Sequence, residues 1–290
     1  MSDESVKTTM GNLEDVLGMM DRVNEVFAYE VWVPSLKRNV MFREINTSQQ
    51  KRLIKAIIDS PVYNTEFIFT LRKIIKENCV DTSINVDDLT LLDKMMIAMK
   101  MRSVSVGDSL ELTIPSGKGD DKKTLKRGIS LQKLIDELKD KVQITPEESF
   151  SDDRGVYTVK CGLPTILTEY KLEQEMRSST ETRDIKDYDQ LRQSVGDVFI
   201  GEVAKYIREL SVSEGDQATT INMNDLSFRN RIALIEKLPE KVTKKVISYI
   251  EKSKTELDKV TLVKVNVGTE EDPEIREEKF SIDASFFTSS

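Results

Sequence analysis

Apolar residues recur along this chain with two periods, and the switches between them mark its elements. From Tyr29 to Ile45 the period is two: Tyr29, Val31 and Val33 alternate with their neighbours, Ser35 to Asn39 form a polar turn, and Val40 to Ile45 resumes an extended pattern. This predicts a β-hairpin. The spacing then becomes helical. Thr47 and Gln50 read as a capping box ahead of Leu53, Ile54, Ile57 and Ile58, with Pro61 as the stop. Asn64 precedes Phe67, Ile68, Leu71, Ile74 and Ile75, and Asp87 or Asp88 opens a third stretch with Leu91, Leu92, Met95, Met96 and Met99, which Met101 extends. Short connections between three such helices predict a compact layer over the hairpin, closed by the strand-like segment from Asp108 to Pro115. A methionine stripe at this spacing reads first as core and second as an adaptable binding face.

Ahead of the hairpin, Leu13, Val16, Leu17, Met20 and Val23 make one sticky face on a piece too short to be a stable helix alone, so it either docks on the body or awaits a partner. Beyond the helices, residues 115 to 128 are rich in Gly, Lys and Asp and read as a loop or hairpin tip. Ser130 caps a helix with Leu131, Leu134, Ile135 and Leu138 on one face; Val156 to Cys161 reads as a strand, and a helix follows Pro164 to about Met176. The polar run Arg177 to Asp187 suggests a boundary or loop. Tyr188, Leu191, Val195, Val198, Phe199, Val203, Ile207 and Leu210 keep helical spacing and predict one long helix. Two helices follow, around Ile232 to Leu238 and Val242 to Ile250, parted by Pro239. The end reads as a hairpin: Val263, Val265 and Val267 out, a turn from Gly268 to Pro273, and Phe280, Ile282 and Ala284 back.

The expected fold is therefore α+β, predominantly helical, with antiparallel β-hairpins near the start and end of the chain. It divides into an N-terminal segment, 1–26; a hairpin plus three-helix layer, 27–115; a loop, helix and strand insertion, 116–180; and a C-terminal helical region ending in a β-hairpin, 181–290.

Composition mostly removes chemistry. No histidine is present among 290 residues, which excludes the histidine-based triads and metal sites and the commonest general base. Two cysteines, Cys79 and Cys161, are too few for a closed zinc site and read as reduced thiols. A net charge of −8 argues against nucleic acid as a partner. No apolar run is long enough to span a membrane, and the opening residues lack the basic and apolar regions of a signal peptide, so synthesis in a cytoplasm is expected. Gly117-Lys118 fails as a phosphate loop, because Leu112 stands where a Gly is required and Gly119 where Ser or Thr is required. Asp81 to Asp88 does not match a calcium loop. The adjacent carboxylates Asp120-Asp121, Glu147-Glu148, Asp152-Asp153 and Glu270-Glu271-Asp272 lie in polar contexts, unlike the facing pair of a glycosidase. No catalytic, metal-binding or cofactor-binding residue is assigned, and no cofactor is expected.

Candidate partner contacts are aromatic. Trp32, the lone tryptophan, is either buried under the first helix or a partner anchor. Phe286 and Phe287, close to the chain end, either fold back or plug a neighbour, and the tendency of termini to fray favours the neighbour.

The Val33-Pro34 hairpin, the stretch Leu91 to Leu112 (LLDKMMIAMKMRSVSVGDSLEL) and the terminal Phe280 to Phe287 (FSIDASFF) together resemble the baseplate hub and hub-assembly proteins of T-even-type contractile-tailed bacteriophages. The resemblance implies a late, non-enzymatic tail protein, a structural component or chaperone-like assembly factor of the baseplate hub. Its partners would be other baseplate hub proteins and the tape-measure protein, with a homo-oligomer left open. It would act in the host cytoplasm during assembly or in the virion tail baseplate. A cytosolic adaptor unrelated to tails is the alternative, and a carboxylate enzyme a third reading.

Overall fold

In the computed structural model the described residues are 12–59, 65–116, 123–181, 196, 199–268 and 273–288. The fold is α+β, with antiparallel hairpins near both ends, and its apolar residues gather into two cores.

The first core starts at the predicted hairpin. Strands β1 (Ala28–Val33) and β2 (Arg38–Arg43) pair antiparallel with Val31 opposite Val40, and the alternation buries Val31, Val33, Val40 and Phe42 on one face. Helices α2 (Thr47–Asp59), α3 (Thr65–Asn78) and α4 (Leu91–Ser105) cover that face. Helix α2 is capped one residue earlier than its pattern suggested. The Asn46 side chain accepts from Gln49 N at 2.9 Å, and Gln49 Oε1 accepts from Asn46 N at 3.1 Å. Ile58 is exposed, while Leu53 and the small Ala56 are buried. The proposed Pro61 stop and Asn64 cap lie outside the described residues.

Helix α4 starts later than expected. Val86–Asp88 form a 3-10 turn, and Thr90 caps α4 through a box with Asp93. The buried Asp93 carboxylate accepts from Thr90 N and Thr90 Oγ1, both at 2.7 Å, and from Ser35 N in the hairpin turn at 2.9 Å. One carboxylate thus fixes both where the helix begins and where the hairpin sits on it. Met96, Ile97, Ala98, Met99 and Met101 are all buried, so the methionine stripe belongs to a helix surrounded by protein.

Strands β3 (Ser109–Ser116) and β4 (Lys123–Ser130) form a second hairpin whose tip lies outside the described residues. The charged segment after Gly119 is therefore largely strand. Its period-2 signal is hidden because only Leu125 and Ile129 are large and apolar. Helix α5 (Leu131–Lys141) follows with Ser130 as cap and buries Leu131, Ile135 and Leu138 as the spacing predicts.

The second core is a four-stranded antiparallel sheet in the order β5 (Glu148–Ser151), β6 (Tyr157–Cys161), β7 (Ile207–Glu214), β8 (Gln217–Asn222). Here the sequence reading is corrected. Residues 199–204 are helical, but the chain then turns into β7, so the long helix does not reach Leu210; its proposed beginning, 188–195, lies outside the described residues. The cause is a bulge. Leu210 pairs with Val159 and Glu209 with Lys160, whereas Cys161 pairs with Ile207, leaving Arg208 as an extra residue. That extra residue puts Ile207 and Leu210, three apart, on the same buried face and imitates a helical spacing. Helix α6 (Ile166–Glu181) continues into the polar run from Arg177, so its first residues are helix, and 182–187 lie outside the described residues.

Helix α7 (Phe228–Ile235) packs beside this sheet, and α8 (Glu240–Thr261) joins the two cores. Val242, Val246, Tyr249 and Ile250 of α8 lie in the second core, and Val260 near its other end lies in the first. At 22 residues it spans about 33 Å. The final hairpin, β9 (Leu262–Asn266) with β10 (Ile275–Lys279), then returns the chain to the first core, so residues 260–287 pack with residues 31–138. Phe280 to Ala284 do not continue the strand as expected. Asp283 instead caps a 3-10 turn, Ala284–Phe287.

Candidate functional site

The terminal aromatics are the clearest departure from expectation. Phe286 is 3% exposed and Phe287 fully buried, both within this chain's own core. Phe287 meets Phe67 of α3 at 6.2 Å and Phe286 edge-on at 5.3 Å, and Phe286 stacks on Phe280 at 5.9 Å. The residue that draws them in is Arg102. Buried on α4, it donates from Nε to Phe286 O at 3.0 Å, lies 5.7 Å from the centroid of the Phe286 ring, and reaches Gly107 O through Nη1. Gly107 presents that carbonyl at φ +145°, a conformation open to glycine. Gln50 of α2 donates to Phe287 O at 3.2 Å. These backbone bonds make a plug of the chain end, and the expectation that Phe286 and Phe287 reach a neighbour is corrected. Nothing in the sequence singled out Arg102, one of four charged residues on α4 with Asp93, Lys94 and Lys100. Burial pulls its pKa down while Asp108 opposes the shift, and the carbonyls satisfy the guanidinium.

Trp32 sits on the face of β1 opposite Val31 and Val33, across from Asn39, and is partly buried against the first core. The exposed apolar surface lies just before it. Helix α1 (Leu13–Val26) is well formed, with Asn12 and Asp15 making a complete capping box. Yet Leu13, Val16, Leu17, Met19, Met20, Val23 and the following Phe27 are 45 to 73% exposed. The face predicted to be sticky is there, and the described body does not cover it.

The candidate chemical groups among the described residues are dispersed. Cys161 is buried in β6 and its thiol is pushed up to about 12 by burial, with Glu148 adding to the shift; burial also raises the half-buried Cys79. Both thiols are therefore poor nucleophiles. Carboxylates that adjoin in sequence are held apart by separate partners: Glu147 pairs with Lys160 at 3.0 Å and Glu148 with Lys252 at 3.1 Å, while Asp152 accepts from Tyr157 N at 2.9 Å and Asp153 pairs with Lys241. Asp120-Asp121 and Glu270-Glu271-Asp272 lie outside the described residues. Among the described residues no three His, Cys, Asp or Glu side chains group as metal ligands, and no helix is long and apolar enough to cross a membrane.

Buried charges act as struts between elements. Lys94 of α4 bridges to Glu169 of α6, and Lys205 is held by Glu173 at 2.7 Å and Glu202 at 2.5 Å. Burial alone would lower the Lys205 pKa, but the two carboxylates raise it well above the usual lysine value. An open groove of about 550 Å³ between α5 and β9 is lined by Leu134, Leu138, Leu262 and Val263. Its two carboxylates, Glu137 and Glu277, pair with Lys141 and Lys264 at 2.8 and 3.8 Å.

Among the described residues the arrangement is one of packed elements joined by ion pairs and hydrogen bonds, with an exposed apolar face on α1. A family model described as T4 bacteriophage base plate protein matches residues 26–276, and the chain belongs to that family: it is a phage baseplate protein. Neither the curated proteins nor the solved structures offer a match. Most of α1 precedes the matched region, whereas both cores fall largely within it.

Proposed function

We propose that this chain serves the baseplate hub as a non-enzymatic structural component or chaperone-like assembly factor, working through contacts with other hub proteins and the tape-measure protein in the host cytoplasm. Family membership across 26–276 carries the reading. The matching of charges into struts and the resemblance of Leu91 to Leu112 to hub proteins support it. That stretch contains the central helix of the first core, so the resemblance concerns the fold's framework and not only its surface. Trp32, half-buried on the outer face of the hairpin, is the proposed anchor for a hub partner.

Capture from infected cells tests this. Tagged chain should retain hub or tape-measure protein, and Trp32→Ala should weaken that capture at least tenfold while circular dichroism stays unchanged. Full capture by the variant would remove Trp32 from the interface, and retention of neither protein by the wild type would overturn the hub reading.

A further inference from the structure

We infer that the exposed face of α1 is a self-association surface, covered by α1 of a second copy of this chain. Leu13, Val16, Met20 and Val23 are spaced three, four and three apart, which puts them at the a and d positions of two successive heptads, and Phe27 follows just past the end of the helix. Leu17 and Met19 fall at the flanking e and g positions and widen the apolar seam. The charged residues of the segment, Glu14, Asp15, Asp21, Arg22 and Glu25, all fall at b, c or f. This sorting lets an identical partner lie along the seam without like-charge contact. Four acids and one base make the helix acidic in a chain whose net charge is −8, so two copies repel over most orientations. Along this seam no charge meets its like, because a, d, e and g carry none.

Area and length point the same way. The seven exposed apolar residues offer on the order of 700 Å² per copy, close to the roughly 800 Å² per partner of a standard interface. A helix of 14 residues is marginal in water by itself and gains from being covered. Phe27 alone separates α1 from β1, so the helix is tied closely to the first hairpin and pairing of helices brings the bodies together. The inference stands without the hub reading, since it uses only this chain's helix and charges.

Sedimentation velocity of the full chain from roughly 1 to 100 µM tests it. The expected result is a weight-average mass that rises across the range from near that of one chain towards that of two. Val16→Asp with Met20→Asp places charge in the seam and should hold the protein monomeric, with the melting temperature the wild type has at the lowest concentration, since both positions are exposed in the single chain. Glu14→Gln, outside the seam, should associate as the wild type does. A wild type that stays monomeric throughout overturns the inference, including the case in which α1 is needed to bind a different baseplate protein. So does a doubly substituted variant that sediments like the wild type.

Discussion

Arg102 and Phe287 are the side chains on which the chain end depends, and each can be removed separately. Truncating Phe287 to Ala should cost about 3–5 kcal/mol, the usual loss for a buried phenylalanine. Arg102→Ala should cost roughly 2–4 kcal/mol, because it leaves the Phe286 carbonyl without its buried donor. The two losses should be less than additive, because both release the same turn. Urea denaturation of the single and double variants checks this; full additivity would mean the two residues act apart. The thiols give a second residue-scale expectation. With both pKa values raised by burial, Cys161 should resist an aromatic disulfide reagent at pH 8 in the folded protein, Cys79 should react slowly, and both should react at once in denaturant. Rapid native labelling of Cys161 would contradict its place in β6.

At the scale of elements, Asp87 and Asp108 link pieces that would otherwise move independently. Asp87 on the 3-10 turn accepts from Arg72 of α3 twice at 2.8 Å and from Lys76 at 2.9 Å. Asp108 accepts from Ser103 at 2.8 Å, Ser130 at 2.6 Å and Gln132 N at 2.7 Å, joining the end of α4 to the start of α5. Burial pushes each pKa up, but these partners outweigh it and leave both below the ordinary aspartate value. A depressed folded pKa contributes stability that is present above the unfolded value, near 3.8, and is lost as pH falls through the folded one. Thermal melting should therefore fall as pH drops below about 4, and Asp87→Asn should lower stability at pH 7 while flattening that acid dependence. An unaltered acid slope in the variant would remove Asp87 from the account.

Elements were legible where one period ran unbroken. The first hairpin, α3, α5 and the start of the last hairpin follow from spacing alone, because each buries a single regular face. The sheet of the second core was hidden for local reasons. The bulge at Arg208 gave β7 a helical spacing, and β8, reading Gln-Ala-Thr-Thr-Ile-Asn, is almost wholly exposed and carries little apolar signal. The caps of α2 and α4 shifted by one or more positions because polar candidates crowd both helix starts and only the bonds formed select among them, whereas Ser130 caps α5 as its pattern predicts. The self-association face was visible as a stripe, but that it stays uncovered could not be read from spacing, since docked and undocked helices share one pattern. The fate of Phe286 and Phe287 depended on Arg102, some 184 residues away in sequence.

Across the whole molecule, α8 is the one helix among the described residues with buried apolar side chains in both cores, so it should govern whether they unfold together. Lys254 is exposed near its middle, and a proline there costs about 3 kcal/mol or more by breaking the helix. Lys254→Pro should split a single calorimetric transition into two, whereas a variant that still melts in one step would show that the cores are coupled elsewhere. The central claim is that this baseplate protein acts through contacts in building the hub. It is tested most directly by electron microscopy of lysates from the encoding phage with this gene interrupted by a stop codon. The account predicts tails arrested without a complete baseplate, restored by the wild-type chain supplied in trans. Normal tails and baseplates in the absence of the chain would contradict it.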